Sequence, residues 1–301
     1  MNPTFFIPRY SLKRKQLTPY LFASPFLIFL LVFIFFPLLF SFLLSFTDYN
    51  YVYSSVPKFN GISNYLKLLK DSDFVTAFRN TVIYGVLFFP TLMVLSLILA
   101  FLLHQNLKGA VFFRTAVFLP VILALSLSGV VFQWIFDPFF GLLNFILGAL
   151  IGGPVTIAWL SKDHTVLLSL VIVSVWKFTG INMVLFLAGL EAIPRTLYDA
   201  AKVDGASGFQ RFIFITIPNL KESFILAGIW GIIQSIKIFE LPFVMTAGGP
   251  GNASLVLYHY MWKSAFQFFE MGYGSAIGFV IGGFVLLFSI LSLLFIKTEK
   301  Q

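Results

Sequence analysis

Cysteine is missing from all 301 residues of this chain, and charged residues are scarce. Without cysteine the protein has no disulfide framework, no thiolate metal site and no thiol redox switch. Asp, Glu, Lys and Arg make up 11% of the residues, whereas soluble domains carry roughly 25%. A chain that is 59% hydrophobic cannot cover its surface with polar groups, so most of that surface must face lipid.

The sequence also lacks the patterns that catalysis requires. No GxxxxGK[ST] segment is present to cradle the phosphates of ATP. The three histidines, His104, His164 and His259, are too scattered for a metal cluster, and no nucleophile stands beside a base at a suitable site. We therefore predict that the protein is not an enzyme and holds neither a metal nor another cofactor.

Six apolar runs are long enough to cross about 30 Å of hydrocarbon at about 1.5 Å per helical residue. The first is much longer than the apolar part of a signal peptide, which has roughly 7–15 residues. The six predicted spans are Pro19–Phe46, Thr81–Leu103, Thr115–Phe136, Val166–Leu190, Phe224–Thr246 and Ala276–Ile296. The predicted fold class is therefore an all-α integral membrane protein with six transmembrane helices.

Lys and Arg are distributed unequally between the loops. With the N-terminus inside, twelve of them fall on the cytoplasmic side and six on the outer side. Because Lys and Arg accumulate in cytoplasmic loops, we predict that both termini are cytoplasmic. Residues 1–18 then form a cytoplasmic N-terminal segment, residues 19–301 form the membrane domain, and a polar loop at residues 191–218 is cytoplasmic. The net charge of +8 fits this arrangement beside anionic lipid better than nucleic-acid binding.

The loop at residues 191–218 contains the start and end signals of two short helices. Proline at the first position suits a helix over residues 194–204, and nothing after it breaks one. Gly205 stands where a left-handed residue would end that helix. Ser207 and Gln210 have the spacing of a capping box, so a second helix should begin at Ser207. This pattern alone fits a docking helix as well as a hairpin that only links two spans.

A longer motif runs through the same loop. Asp199-Ala200-Ala201 is followed after three residues by Gly205 and, after nine more, by Ile215-Thr216-Ile217-Pro218. The segment resembles the EAA loop of permease subunits in binding-protein-dependent ABC importers, which reads Glu-Ala-Ala, three residues, Gly, nine residues, Ile-x-Leu-Pro. Asp199 in place of Glu and Ile217 in place of Leu are conservative departures.

Shorter stretches extend the resemblance over nearly the whole chain, to the carbohydrate-uptake branch of that family. They are Leu44-Ser45-Phe46-Thr47-Asp48-Tyr49, Phe112-Phe113-Arg114-Thr115, Phe118-Leu119-Pro120, Gly141-Leu142-Leu143-Asn144, Trp176-Lys177, Leu187-Ala188-Gly189-Leu190 and Gly248-Gly249-Pro250. The resemblance implies the type I ABC importer permease fold, in a prokaryotic plasma membrane. It implies a second permease subunit, two ATPase subunits that bind the ATP, and an extracytoplasmic solute-binding protein that delivers a sugar or related polyol.

Under this resemblance, the first helix of the loop is a coupling helix seated in an ATPase subunit. The residues assigned to ATPase coupling are Asp199, Ala200, Ala201, Asp204, Gly205 and Ala206. Ala200 and Ala201 keep one side of the helix thin, so a partner backbone can approach closely. Membrane lipid is the remaining expected partner, and no nucleic acid is expected.

Polar residues inside the predicted fourth and fifth spans mark a second candidate site. A central Lys or Asp costs roughly 2.5–3.5 kcal/mol to insert, so it normally faces a cavity or a partner. The predicted translocation path is lined by Ser174, Lys177, Gln234, Ser235, Lys237 and Glu240. In the structural alternative, Lys237 pairs with Glu240 on one helix face, and Lys177 snorkels or pairs with the partner subunit.

Three further predictions keep their alternatives. Trp176 and Phe239 are expected to stack on sugar rings. Residues 248–254 and 258–269 are expected to face the binding protein, or else they form an ordinary loop and a packed interfacial segment. Residues 62–70 form a short amphipathic helix at the interface or a plain loop.

Two other function classes remain beside the importer permease. One is a self-sufficient secondary transporter that uses Lys177, Lys237 and Glu240 for ion coupling. The other is a membrane scaffold with no transport role. Neither needs a cytoplasmic docking helix, so the motif at residues 199–218 favours the importer permease.

Overall fold

The computed structural model of the chain describes residues 12–105 and 108–297, with side chains over residues 19–105 and 108–290. The predicted cytoplasmic segment 1–18, with its basic cluster, lies outside the described side chains. Lys297 and Lys300 lie outside them too. The orientation drawn from these residues therefore stays a prediction.

The described chain is mostly helical. Its helices are α1 (Leu12–Leu30), α2 (Phe36–Leu44), α3 (Ser63–Leu68), α4 (Ser72–His104), α5 (Ala110–Ile122), α6 (Leu125–Ile135), α7 (Leu142–Ile151), α8 (Asp163–Ala192), α9 (Arg195–Val203), α10 (Gly208–Arg211), α11 (Ile217–Asn219), α12 (Lys221–Ile236), α13 (Glu240–Thr246), α14 (Leu257–Trp262) and α15 (Met271–Lys297). The π-helical turns are Leu31–Phe35, Phe212–Thr216 and Lys263–Gln267. α3 confirms the helical alternative for residues 62–70.

In the part of the chain that the structure describes, two short strands form a hairpin just after α2. β1 (Thr47–Asp48) runs antiparallel to β2 (Lys58–Phe59), with Thr47 opposite Phe59. The first residues of α15 pack against this hairpin, because Gly272 leaves room for the Thr47 carbonyl oxygen, which lies where a Cβ atom would be. The hairpin thus connects the N-terminal helices to the last one.

α8 is the central helix of the fold. In its most apolar 18-residue window 67% of the residues are buried, against 28% in α4 and in α15 and 6% in the N-terminal span Pro19–Leu44. α4, α5 and α12 pack around it, and a helix apolar on all sides is expected in such a position. The N-terminal span instead leaves nearly all of its surface free to face lipid or another subunit.

α5 crosses α8 at very short range. A Cβ atom on Gly180 of α8 would lie 2.7 Å from the carbonyl oxygen of Val117 and 2.9 Å from the Cα of Phe118. Because both neighbours are backbone atoms, only glycine allows this crossing. Gly180 of α8 therefore allows α5 to pack this closely.

Among the residues that the structure describes, four helical segments are long and apolar enough to cross a membrane, and there are up to six spans if each of two bent helix pairs counts as one. The four are Pro19–Leu44, α4, α8 and α15. The bent pairs are α5 with α6, at 103°, and residues 208–219 with α12, at 65°. The predicted all-helical membrane fold is confirmed, but two of its spans are not straight.

The third predicted span, Thr115–Phe136, is wrong as a single helix. α5 ends at Ile122, and α6 begins after Leu123 and Ala124, which are both extended with ψ of 146° and 138°. Hydropathy does not register this break because every residue around it is apolar or small.

The fifth predicted span, Phe224–Thr246, is also wrong as a single helix. α12 ends at Ile236 with Lys237 as its cap, and α13 begins at Glu240. Lys237 and Glu240 therefore do not share a helix face. Among the described residues no ion pair joins them, so the predicted structural pairing is wrong as well.

Candidate functional site

The loop at residues 191–218 folds as the sequence predicts. α9 is followed by Gly205, whose φ of 79° is left-handed and costs glycine nothing. The N–H of Ala206 donates to the carbonyl oxygen of Ala201 at 2.8 Å, and that of Gly205 donates to Lys202 at 3.1 Å. These two bonds form a Schellman motif. The predicted helix end at Gly205 is confirmed.

The second helix of the loop begins in a capping box. The Ser207 Oγ accepts a hydrogen bond from the Gln210 N–H at 3.3 Å, and the Gln210 Oε1 accepts one from the Ser207 N–H at 2.7 Å. This is the predicted pairing of Ser207 with Gln210, and it satisfies backbone donors that the helix start leaves free. Both helix ends at the bend are thus closed by local hydrogen bonds.

One side of α9 is anchored to the membrane helices. The Tyr198 hydroxyl and the Thr216 Oγ1 lie 2.9 Å apart in a hydrogen bond, and Thr216 is fully buried. At the start of the loop, Glu191 lies 3.5 Å from Arg114 of α5, which donates to the carbonyl oxygen of Leu103 at 3.0 Å. The start of the loop is thereby held against α4 and α5, and α9 is held against the π-helical turn Phe212–Thr216.

The other side of α9 is open. Asp199, Ala200, Asp204 and Gly205 are exposed, and Ala201 and Ala206 are half-buried. Four of these six predicted coupling residues line a groove of about 320 Å³, namely Ala201, Asp204, Gly205 and Ala206. Val203 of the same helix is apolar and 88% exposed.

Asp199 forms an exposed ion pair within α9. Its Oδ1 lies 3.2 Å from the Lys202 Nζ, and both side chains are more than half exposed. Water screens such a pair, so it adds little to stability. The Asp199 carboxylate therefore remains accessible to a partner at low cost.

Lys177, predicted to line the translocation path, is bonded to backbone. It is 5% exposed, and its Nζ donates to the carbonyl oxygens of Pro120 at 2.7 Å, Val121 at 2.9 Å and Leu123. An ammonium group has three donors, so all of them are used. The side chain does not snorkel to the end of the span; it reaches the break between α5 and α6.

Ser174 and Ser235 are buried and each bonds within its own helix. The Ser174 Oγ donates to the Leu170 carbonyl oxygen at 2.8 Å, and the Ser235 Oγ donates to that of Ile232 at 2.7 Å. Ser235 also lines a cavity of about 480 Å³ between α4, α12 and α15, whose lining is almost wholly apolar. Gln234, beside it, is half-buried.

Two of the three charged residues of the predicted path lie beyond α12. Lys237 is exposed and lines a second cavity, of about 700 Å³, between α2, α14 and α15. Glu240 is exposed at the start of α13. The six predicted path residues thus lie around α8, the break in the bent span and the end of α12.

The two aromatic rings expected to meet sugar pack on other rings. Trp176 lies edge-on to Phe132 with ring centroids 5.0 Å apart, and it remains 38% exposed. Phe239 stacks on Phe243 at 5.2 Å. Stacking on a sugar stays a prediction for both.

The segment 248–254 is tied to α4. The Asn80 Nδ2 donates to the carbonyl oxygens of Asn252 and Leu255, both at 2.9 Å, and the Asn252 Nδ2 donates to the Asp73 Oδ1 at 2.9 Å. In the segment 258–269, Phe266 and Phe268 expose about half of their surface, 51% and 47%. Docking of a binding protein on these segments stays a prediction.

Asp71 is a polar junction that sequence reasoning missed. Its carboxylate accepts hydrogen bonds from the hydroxyls of Tyr260, at 2.5 Å, and Tyr273, and from the N–H groups of Asp73 and Phe74. Burial alone would raise the pKa of Asp71, but these hydrogen bonds together lower its pKa. An Asp just before a helix is a visible cap signal; its tyrosine partners, 189 and 202 positions later, give no local pattern.

Comparisons with known proteins agree on one family. Residues 70–298 match the family described as "Binding-protein-dependent transport system inner membrane component". The probable ABC transporter permease protein YurN of Bacillus subtilis (strain 168) is 37% identical over 96% of this chain and 99% of its own length. The arabinooligosaccharides transport system permease protein AraP of the same strain is 35% identical over 93% of this chain and 88% of its own length.

A solved structure shares the fold. It is a chain of a bacterial alginate ABC transporter, solved in complex with an alginate pentasaccharide-bound periplasmic protein. The TM-score is 0.78 at 20% identity, covering 93% of this chain and 94% of that one.

Proposed function

This chain belongs to the family of inner membrane components of binding-protein-dependent transport systems, and from that premise we propose that its cargo is a sugar or a related polyol. Membership makes it a multi-pass protein of the plasma membrane and a permease for binding-protein-dependent import. A carbohydrate is supported by AraP, which is named for arabinooligosaccharides. The alginate transporter, whose binding protein holds a pentasaccharide, agrees with it.

The exposed helix α9 is the single observation that supports ATP-driven transport through this chain. It is closed by a Schellman motif, anchored through Tyr198 and joined directly to α8 on one side. We assign this face, Asp199 to Ala206, to docking on an ATPase subunit. Two such subunits bind and hydrolyse the ATP, and this chain supplies neither a nucleotide site nor another cofactor. In the assembly a second permease subunit completes the pathway.

The cargo passes along α8 and α12. Ser174, Gln234 and Ser235 line the path, and Lys237 and Glu240 stand near one end of it. Lys177 contributes through the helix break that it holds, because its donors are occupied by carbonyl oxygens. The loop 191–218 and both termini are cytoplasmic, so the segments 248–254 and 258–269 face the solute-binding protein.

An ion-coupled transporter that works alone has no support from these residues. The Lys177 ammonium donates three hydrogen bonds to backbone, and Lys237 and Glu240 lie on different helices. Neither arrangement offers the paired, exchangeable charges that ion coupling needs.

The test is reconstitution. The chain is co-expressed with a candidate partner permease, ATPase and binding protein. The assembly is then purified and placed in liposomes. We expect ATPase subunits to co-purify, and MgATP inside the liposomes to drive uptake of a labelled sugar from an oligosaccharide panel. Uptake by the chain alone on an ion gradient without ATP would overturn the importer assignment. A binding protein that takes amino acids and ignores the whole panel would overturn the carbohydrate assignment.

A further inference from the structure

We propose that Lys177 and Gln133 are positioning residues that hold the bent span α5–α6 between α8 and α13. Each side chain caps the C-terminal carbonyls of a neighbouring helix. Within one turn of each of these residues, its own helix also carries a glycine that packs closely against the same neighbouring helix. The bent span is thus held at both α5 and α6. We call each capping side chain, together with its nearby glycine, a grip.

The first grip lies on α8. Lys177 donates to the carbonyl oxygens of Pro120 and Val121 in the last turn of α5 and to that of Leu123, at a helix end where carbonyl groups lack the donors of a following turn. A cation at a helix C-terminus also opposes the partial negative charge there. Three residues on, Gly180 touches the backbone of α5 at Val117. The break has one backbone hydrogen bond of its own, from the Leu123 N–H to the Pro120 carbonyl oxygen at 3.2 Å, and Lys177 adds three contacts to carbonyl oxygens at the same place.

The second grip lies on α6. The Gln133 Nε2 donates to the carbonyl oxygens of Val244 and Met245, both at 3.1 Å, in the last turn of α13. Four residues earlier, a Cβ atom on Gly129 would lie 3.3 Å from the side chains of the same two residues. α6 is therefore fixed to the C-terminal end of α13 as α8 is fixed to that of α5.

The two grips act in series. α8 leads into α9 across Ile193 and Pro194, so a displacement of α9 moves α8. Lys177 passes that displacement to the α5–α6 break, and Gln133 passes it to α13. This order predicts the effect of each substitution. Loss of Lys177 should loosen both the α5–α6 break and the contact between α6 and α13. Loss of Gln133 should loosen the contact between α6 and α13 alone.

Distances between paired spin labels test this order. Because the chain has no cysteine, introduced cysteines are its sole labelling sites when the partner subunits are also made cysteine-free. One pair, Val111→Cys with Trp134→Cys, spans the break from positions that are 77% and 68% exposed. A second pair, Val131→Cys with Phe243→Cys, spans the α6–α13 joint. The distances are measured in the assembled transporter at rest, so they do not depend on its cargo.

With Lys177→Met we expect the distance distributions of both pairs to broaden and shift. With Gln133→Leu we expect the pair across the break to stay as in the wild type and the α6–α13 pair to broaden. Lys162→Met, which replaces an exposed lysine just before α8, should change neither.

A narrow, unshifted distribution across the break in Lys177→Met would overturn the proposal. So would Gln133→Leu if it left the α6–α13 pair unchanged or loosened the break. Should Lys177→Met fail to assemble, Gln133→Leu still decides, because Gln133 is half-buried and its loss leaves the first grip intact.

Discussion

The two bent helix pairs of this protein are held in different ways. The 103° bend between α5 and α6 has one backbone hydrogen bond, from Leu123 to Pro120, and is held mainly from outside, by the Lys177 ammonium of another helix. The 65° bend at the start of α12 is held from within. There, Pro218 stands in the first turn of α11, and the Leu220 N–H still donates to the Thr216 carbonyl oxygen at 3.1 Å.

The difference decides what each bend can do. A bend held by its own hydrogen bonds keeps its shape when neighbouring helices move, which suits a segment that joins a docking loop to a span. A bend held by a side chain of α8 follows α8. We therefore expect the first bend to be sensitive to packing on α8 and the second to be sensitive to the backbone and caps of the loop.

Gly180→Ala should have the largest effect on stability, at the first bend. Its Cβ would lie 2.7 Å from the Val117 carbonyl oxygen, and backbone cannot give way as a side chain can. We expect a loss of about 3 kcal/mol in the free energy of unfolding, at the upper end for overpacking, measured by thermal unfolding in detergent.

The matched control is Gly228→Ala, since the nearest atom to that Cβ would be a Phe89 ring carbon 4.0 Å away. Equal stability of the two variants would contradict the close crossing at Gly180.

Gly205→Val should have the next largest effect, in the loop before the second bend. A β-branched residue at φ 79° costs about 2 kcal/mol in backbone strain. The chain should still insert, but uptake and ATPase docking should fall because α9 can no longer end at this point.

Gly152→Val is its control, because Gly152 has φ 80° and equally open surroundings at the end of α7. Similar destabilisation with normal uptake in Gly152→Val, together with lost uptake in Gly205→Val, would locate the functional effect in the loop. Normal binding-protein-stimulated ATP hydrolysis in Gly205→Val would rule out a role for the bend at Gly205 in ATPase coupling.

Tyr198→Phe should have a moderate effect, because it removes a single anchor between α9 and the second bend. The hydrogen bond to Thr216 is worth about 1 kcal/mol, and its loss leaves the Thr216 hydroxyl buried with one partner fewer. We expect a small decrease in melting temperature and weaker binding of the ATPase subunits, measured by their co-purification. Tyr53→Phe, at an 86% exposed position, should change neither; an equal effect there would remove the special role of Tyr198.

Asp199→Ala should have the smallest effect on stability. Its ion pair with Lys202 is exposed on both sides, so the expected change is about 0–0.5 kcal/mol. Binding of the ATPase subunits should nevertheless weaken, and Asp199→Glu should restore it, because a carboxylate is present in both. Wild-type affinity in Asp199→Ala would show that this position does not take part in docking.

The loop at residues 191–218 was predictable because its structure is local. The Schellman bonds of Gly205 and Ala206 and the capping box of Ser207 and Gln210 join residues no more than five positions apart. Hydropathy also predicted the membrane fold and the position of most spans. It failed at Leu123 and Ala124, because an apolar break looks like an apolar helix.

The site predictions divide in the same way. The predicted coupling residues are exposed or half-buried and four of them line one groove, but their role in docking stays a prediction. Lys177 and the pair Lys237 and Glu240 carried a clear signal, since charge inside an apolar run is costly. Nothing in the sequence indicated that Lys177 meets three carbonyl oxygens more than fifty positions away, or that α12 ends at Ile236, just before Lys237.

By itself, the sequence determined that this protein is a membrane protein made of helices and that it carries a polar loop with a glycine bend at residues 191–218. Composition, the length of apolar runs and hydrogen bonds between near neighbours are properties of short segments. They can therefore be predicted from the sequence without knowledge of the fold. Only the tertiary structure decided which helices bend and what their buried polar groups hold. In a medium without water each such group must find a protein partner, and that partner is chosen by packing between distant segments.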